Sequence, residues 1–418
     1  MGNHLLKRLE EKSQKYPVDR EQRLVYTWDN TKDTLTILQS ASIMNGNISS
    51  STQAVKYAGS KLKLLPYILS MSQKVSENID NITVFDGFSG STRVSQLYAK
   101  SGYTVYANDS ASYSRVFNTA FLLNSKPPEA YQGLIDHLNA LKPVEGWFTE
   151  HYGGDAFNKA SCNGDGLKKP WQRKNTAKLD AIREEIDRLN LDEVSRAVAL
   201  TSLILALDRV DSTLGHFAAY LNDWSVRSYR DLLLEVPALW VNQRRNVVMH
   251  DDIFDALRQL PDNIIIAYFD PPYGSNNEKM PPSRIRYASY YHIWTTICLN
   301  DRPELFGKAG RRADTSDAIA GSVFEDFRKG ASGRFIATEA LEKLIKETRS
   351  DYIILSYSSG GRATTDELNE VLNMYGKIVE IKKIDYKKNI MATMKWTNDW
   401  AKDVAEKNYE YLFMMERI

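Results

Sequence analysis

The chain has 418 residues, with 54 Lys and Arg against 53 Asp and Glu, for a formal net charge of +1. Hydrophobic residues at 43% and charged residues at 26% exclude a disordered chain, and the length allows two or three domains, or one large domain with a long insertion. Two cysteines, Cys162 and Cys298, exclude a disulfide framework and fit a reducing cytosol, while the charged opening Leu5-Leu6-Lys7-Arg8-Leu9-Glu10-Glu11-Lys12 is no signal peptide and the most apolar stretch, 197–207, is too short to cross a bilayer.

Residues 1–53 read as a polar extension, a helical opening over 5–16 leading into the Asn-, Ser- and Thr-rich stretch 45–52. Strands predicted at 82–85 and 104–107 flank a helix over 92–100, the start of a βαβ unit. The middle, 125–245, changes character: helices are predicted over 178–191 and 193–209, with Ile182, Ile186 and Leu189 at helical spacing. Strands return at 247–249, 264–269, 352–355, 378–381 and 411–415. Strands alternating with helices imply an α/β fold, a mainly parallel sheet with helices on both faces. The divisions expected are therefore an extension (1–53), a first half of the sheet domain (54–124), a helical insertion (125–245) and a second half (246–418).

The strongest local signal is Asp270-Pro271-Pro272-Tyr273, directly after the apolar strand 264–269. An acidic residue at the carboxyl end of a parallel strand lies where open α/β sheets bind ligands. The prolines remove backbone donors and leave carbonyl acceptors. A carboxylate, a free carbonyl and an aromatic face suit a planar heterocycle bearing an exocyclic NH₂; the bland alternative is a rigid loop capped by Asp270. Phe85-Asp86-Gly87-Phe88-Ser89-Gly90-Ser91-Thr92 links the first strand to the first helix, with glycines that admit a ligand near the backbone. It is neither the G-x-G-x-x-G fingerprint nor a P-loop. Asn108-Asp109 ends the next strand, where a carboxylate can accept from ribose hydroxyls or simply cap a helix.

Together these motifs resemble S-adenosylmethionine-dependent amino-methyltransferases, and within them the Dam-like D12 class of DNA adenine-N6 methyltransferases. The resemblance runs from Lys56 to about Phe413. Tyr57-Ala58-Gly59-Ser60-Lys61 is similar to the class's opening cofactor motif, Asp86-Gly87-Phe88-Ser89-Gly90 to its glycine loop, Asn108-Asp109 to its ribose motif and Asp251-Asp252-Ile253-Phe254 to its adenine-ring motif. Asp270-Pro271-Pro272-Tyr273 matches its catalytic motif unchanged. One departure is Thr92, where many members carry a third glycine; it is expected to narrow the loop.

The resemblance implies a Rossmann-like methyltransferase sheet with an inserted target-recognition domain. It implies that Tyr57, Ala58, Gly59, Lys61, Asp86, Phe88 and Gly90 hold the methionine end of S-adenosylmethionine, that Asp109 binds its ribose, and that Asp252 (in preference to Asp251), Ile253 and Phe254 hold its adenine ring. Asp270 faces the reacting amine, with Pro271 and Pro272 shaping the loop and Tyr273 stacking on the flipped base. The implied partners are double-stranded DNA and a cognate restriction endonuclease, with no membrane, in a prokaryotic or phage cytoplasm.

DNA contacts are expected from basic runs beside aromatic residues. Lys168, Lys169, Arg173, Lys174 and Lys178 form a run without an acid. Residues 279–312 carry seven Lys and Arg against two acids, among them Arg284, Arg286, Arg311 and Arg312, with Tyr287 inside an aromatic cluster. A third run spans 382–395. Arg227 and Arg230 lie in the aromatic segment 214–230, the first candidate for base contacts, with packing as its alternative. The six His and two Cys show no metal-binding spacing, so no metal is expected. Competing readings are methylation of cytosine N4, of RNA or of a protein glutamine, and a nuclease built on Asp262 and Glu380-Ile381-Lys382.

Overall fold

A computed structural model describes residues 27–29, 34–36, 52–77, 79–156, 166–274, 287–316, 319–385 and 409–418. The helix expected over 5–16 lies outside these residues. Contacts divide the chain into two units, Met1–Ser49 and Ser50–Ile418. In the first, Thr27–Asp29 and Thr34–Thr36 pair antiparallel.

The second unit is built on seven strands: β1 (Thr83–Asp86), β2 (Thr104–Asn108), β3 (Val247–Met249), β4 (Ile266–Phe269), β5 (Tyr352–Ser358), β6 (Gly376–Asp385) and β7 (Tyr409–Arg417). They lie in the order β6-β7-β5-β4-β1-β2-β3. Strands β5, β4, β1, β2 and β3 run parallel, and β7 pairs antiparallel with both β5 and β6. The chain walks outward from β1 through β2 to β3, then returns to the other side of β1 with β4. The crevice between β1 and β4 is therefore the switch point of the sheet, where loops leaving adjacent strands diverge.

Helices α1 (Leu65–Ser76), α2 (Arg93–Lys100) and α3 (Ser112–Leu122) accompany the first strands. Between β2 and β3 come α4 (Gln132–Ala140), α5 (Trp147–Tyr152), α6 (Arg173–Arg188) and α7 (Glu193–Arg209). Helices α8 (Ile253–Gln259), α9 (Tyr287–Tyr290), α10 (His292–Leu299), α11 (Ile336–Glu347) and α12 (Thr365–Tyr375) follow.

Central strands are buried on both faces, and successive residues feed opposite cores. Val84, Ile266, Tyr268 and Ile354 join the side of α1 and α2, while Phe85, Ala267, Phe269, Ile353 and Leu355 join that of α8, α11 and α12. Burial on both faces explains why these strands read as unbroken apolar runs. A third core gathers the helices between β2 and β3 together with Tyr291, Ile293, Trp294 and Ile297 of the later segment. Helix α7 is buried from Ala197 to Leu207 because that core surrounds it; Asp192 caps its start by accepting from the Ser195 N–H at 2.9 Å. The helix expected over 178–191 begins earlier, at Arg173, and ends at Arg188.

Candidate active site

Four acidic positions stand at the carboxyl ends of four neighbouring parallel strands: Asp252 beyond β3, Asp109 beyond β2, Asp86 closing β1 and Asp270 beyond β4. All four line one cavity of about 570 Å³ at the switch point. Tyr57, Gly59, Lys61, Phe88, Gly90, Ile253, Pro272 and Tyr287 line it too, as does Asp251.

The glycine loop is held by backbone bonds. The Gly87 N–H donates to the Tyr268 carbonyl at 3.0 Å, and the Ser89 N–H to that of Asn108 at 3.0 Å. A Cβ at Gly87 would sit 2.7 Å from the Phe269 ring and 2.9 Å from Ile253, so these side chains pack against the turn only because that position is bare. Gly90 has φ +48° and donates its N–H to the Asp109 carboxylate at 2.7 Å. The other Asp109 oxygen accepts from the Ala111 N–H at 2.8 Å, so this carboxylate both faces the cavity and ties the loops that shape it. Thr92 takes the left-handed conformation, φ 66°, that suits the glycine many relatives are expected to carry there. It lies outside the cavity lining, between Ser91 and Arg93, which are part of it.

Asp86 is fully buried. Its Oδ2 accepts from Ser95 Oγ at 2.6 Å, while Oδ1 is buried without a hydrogen-bond partner among the described residues. Burial, with Asp270 and Asp109 adding, raises this carboxyl to about 7 against the bond from Ser95. Asp270 is also pushed to about 7, chiefly by burial; Lys61 opposes the shift and Glu410 adds to it. The Lys61 ammonium lies 2.9 Å from Asp270 Oδ1 and 2.6 Å from Glu410 Oε1. Burial works against that ammonium, but Asp270, Tyr273 and Glu410 outweigh it and hold Lys61 well above its ordinary value.

Aromatic residues build the opposite wall. Tyr57 stacks on Tyr291, 4.4 Å away at 14°, lies 5.4 Å from Tyr287 at 24°, and shares a 3.1 Å hydrogen bond with Tyr113. Phe88 meets Phe269 and Phe324 edge-on. Phe254 stacks on Phe324 at 6.1 Å, with Lys343 over its ring, and lies behind the cavity wall. Ala58, Pro271 and Tyr273 also stand outside the lining. Tyr273 leans on Tyr357 at 5.3 Å, and its carbonyl accepts from the Arg362 N–H. Asp251 is tied through its backbone to the Asn108 amide and accepts from Gln259 at 3.2 Å, whereas Asp252 caps α8 by accepting from the Phe254 N–H.

Three contributors were not expected. Glu410 sits on β7, far from every motif in sequence. Segment 319–325 borders the cavity from beyond α10. Arg93 also lines the cavity and bonds the Thr52 carbonyl at 2.8 Å, while its Nε is buried without a partner among the described residues. A cation in the first turn of a helix opposes the helix dipole, and that signal was available in the sequence.

The basic runs are largely committed elsewhere. Lys169 and Arg312 were expected at phosphates, yet both are 4% exposed. Lys169 donates to the His151 carbonyl, and Arg312 forms bidentate pairs with Asp301 and Asp314 and reaches the cavity edge. Arg173 pairs with Glu145, Lys174 with Asp231, Lys178 with the carbonyl of Asn139, and Lys168 with Asn222. Arg227 binds Asp211 and the Thr213 carbonyl. Arg311 bonds Ser289, and Tyr287 is part of the cavity wall. Arg230 is exposed. Arg284 and Arg286, with most of 382–395, lie outside the described residues. In segment 214–230, Phe217 and Trp224 are buried, which favours packing over base contact for both. Glu380 pairs with Lys74, and Asp262 with Arg349, so each half of the nuclease reading already has its own partner. Among the described residues no three His, Cys, Asp or Glu side chains gather as a metal site would need, and no helix is long and apolar enough to cross a membrane.

A doubly wound sheet with acidic residues at its switch point and an Asp-Pro-Pro-Tyr loop beside them defines a ligand-binding α/β enzyme of the Rossmann-like methyltransferase kind. The chain belongs to the D12 class N6 adenine-specific DNA methyltransferase family, whose model matches residues 57–347. It is 28% identical over 385 residues to modification methylase StsI of Streptococcus sanguinis, covering 87% of this chain and 52% of that protein. It is 25% identical over 369 residues to type II methyltransferase M.NlaIII of Neisseria lactamica, covering 87% of this chain and 99% of that one. With type II methyltransferase M.FokI of Planomicrobium okeanokoites the identity is 26% over 375 residues, covering 87% and 53%. The chain thus spans about half the length of StsI and M.FokI and nearly all of M.NlaIII.

Proposed function

We propose that the protein is a site-specific DNA methyltransferase that moves a methyl group from S-adenosylmethionine to the N6 amine of an adenine flipped out of duplex DNA, as the modification half of a restriction–modification pair. The observation that carries this reading is the Asp270 carboxylate facing the switch-point cavity, one strand away from the buried, half-partnered Asp86. An unpaired buried carboxylate oxygen fits a cationic amino group, and Arg93 Nε offers a donor to a carboxylate. Both charges belong to an amino-acid head. Asp109 then suits the ribose hydroxyls, and Asp252 and Ile253 the adenine ring. Bound there, S-adenosylmethionine supplies a methyl group on a positively charged sulfur.

The chain's own residues would do the rest. An aromatic amine is a weak nucleophile because its lone pair is conjugated with the ring. Hydrogen bonds from its N–H groups to the Asp270 carboxylate and the Pro271 carbonyl favour the pyramidal geometry that frees the pair. The gain is positioning and fixed electrostatics. Cys298 is buried with its thiol pushed up to about 12, so it is no nucleophile here. Recognition of the target sequence is assigned to the segment between β2 and β3, where Val226, Tyr229 and Arg230 are exposed.

Tritiated methyl incorporation into duplex DNA, followed by nucleoside analysis, tests the reading. N6-methyladenine is expected. Label appearing as N4-methylcytosine, or in RNA or protein and not DNA, overturns it. Single-molecule sequencing of methylated plasmid then gives the target site, and exchanging residues 205–240 with those of a relative should change it.

A further inference from the structure

Glu410 occupies a buried position on β7, opposite Ser358 of β5 and Ile384 of β6, and is 5% exposed. Its Oε1 accepts from Lys61 Nζ at 2.6 Å and from Ser356 Oγ at 3.0 Å. The same ammonium stands 2.9 Å from Asp270 Oδ1 and 5.4 Å from the centre of the Tyr273 ring. The charged and titratable groups that act on this cluster come from several elements. Lys61 comes from the 3₁₀ turn Lys61–Lys63, Asp270 and Tyr273 from the loop after β4, Tyr268 from β4, Asp86 from β1 and Tyr287 from α9. Strand β6 sets the uncharged Ile384 opposite Glu410, with Lys382 two positions away on the same face.

We propose that Glu410 is a positioning residue that shares the Lys61 ammonium with Asp270, and so keeps the Asp270 carboxylate free to accept from the substrate amine. The inference rests on the adenine-N6 reading above. If Lys61 faced Asp270 alone, the two would close into a neutral buried pair, and the ammonium would compete with the amine for the same oxygen. Glu410 holds the ammonium at the shorter of the two distances. Once Asp270 is ionised, two carboxylates about one ammonium leave one net negative charge in a largely buried site, where it acts more strongly than in water. That charge offsets the positive charge developing on the amine nitrogen as it gains a methyl group. Ser356 fixes the orientation of the Glu410 carboxylate and hence the line along which Lys61 is drawn.

The experiment follows Asp270 directly. Protein with ¹³C-labelled aspartate carboxyls is titrated by NMR, the Asp270 signal being assigned by its loss in Asp270→Asn. Glu410→Gln keeps the size and the acceptor for Lys61 and Ser356 but removes the charge. Taking away a neighbouring like charge should lower the Asp270 midpoint by about one pH unit or more. The ascending limb of kcat should move down with it, and the plateau kcat should fall as preorganised charge is lost. An unmoved midpoint overturns the proposal. Should Glu410→Gln not fold, Glu410→Asp, which withdraws the charge by one methylene, is expected to give a smaller downward shift, and no shift there overturns the proposal equally. Wild-type protein that methylates no DNA would instead defeat the functional reading, while the NMR midpoint still decides the part played by Glu410.

Discussion

The cavity and the basic runs handle charge in opposite ways. Around the cavity, Asp86 keeps a buried oxygen without a partner among the described residues, and Asp86 and Asp270 are both raised to about 7. In the runs, Arg312 has Asp301 and Asp314, Arg173 has Glu145, Lys174 has Asp231 and Arg227 has Asp211. Both regions look equally charged in the sequence. A buried charge left incompletely matched is held at a cost that only a ligand offsets, whereas a matched one stabilises the fold and has little left to offer.

The sharpest way to break this comparison is Asp270→Ala. Methyl transfer should fall on the order of 10²–10³-fold, the typical cost of one preorganised electrostatic contact, while circular dichroism and melting stay near wild type. Asp270→Asn should be impaired somewhat less, because an amide oxygen still accepts but carries no charge. Full activity in Asp270→Ala would remove this residue from the chemistry.

Asp86→Asn comes next. A hydrogen bond to a charged group is worth about 1.5–3 kcal/mol, and calorimetry should show S-adenosylmethionine binding weakened by that amount. The pH dependence follows from the raised carboxyl. Near pH 7 Asp86 is partly protonated in the free protein, and an incoming ammonium requires it ionised. Binding should therefore release protons and tighten as pH rises through about 7, and both effects should shrink in Asp86→Asn. For stability the sign is the reverse. A folded-state carboxyl raised above its unfolded value of 3.8 favours folding less as pH climbs from about 4 to 7, so the free protein should lose stability over that window, less steeply in the variant.

Arg312→Ala should lower stability by about 1–3 kcal/mol, below the figure for a fully buried pair, because Asp301 and Asp314 remain 37% and 56% exposed and regain water. Denaturant unfolding checks this. Unchanged stability with weaker DNA binding would return Arg312 to the DNA path. The smallest effect is expected from Arg230→Ala: no change in melting, and a salt slope of DNA affinity lower by about one if it meets a phosphate.

Much of the fold was open to reading, since β1 to β5 are short apolar runs beside turn residues and α7 begins at a capped Asp192. Strand β6 spans Gly376–Asp385, beyond the expected 378–381, because both of its faces mix charged and apolar side chains and its ends carry no apolar run. In the site, acidic residues at strand ends could be picked out because a parallel sheet brings those ends together whatever lies between them in sequence. Tyr273 was given a stacking face by its neighbours in sequence, yet its ring rests on Tyr357, which belongs to β5.

By itself, then, the sequence determined the parallel sheet, the loops at its carboxyl edge and the acidic residue each loop carries, because these depend on local pattern and on spacing along the chain. Only the tertiary structure decided which charges are spent. Lys61 and Glu410 are 349 positions apart and meet at 2.6 Å. Arg312 meets Asp301 and Asp314 while Asp86 Oδ1 meets no described partner, because pairing depends on distance and burial, and neither is written in the order of residues.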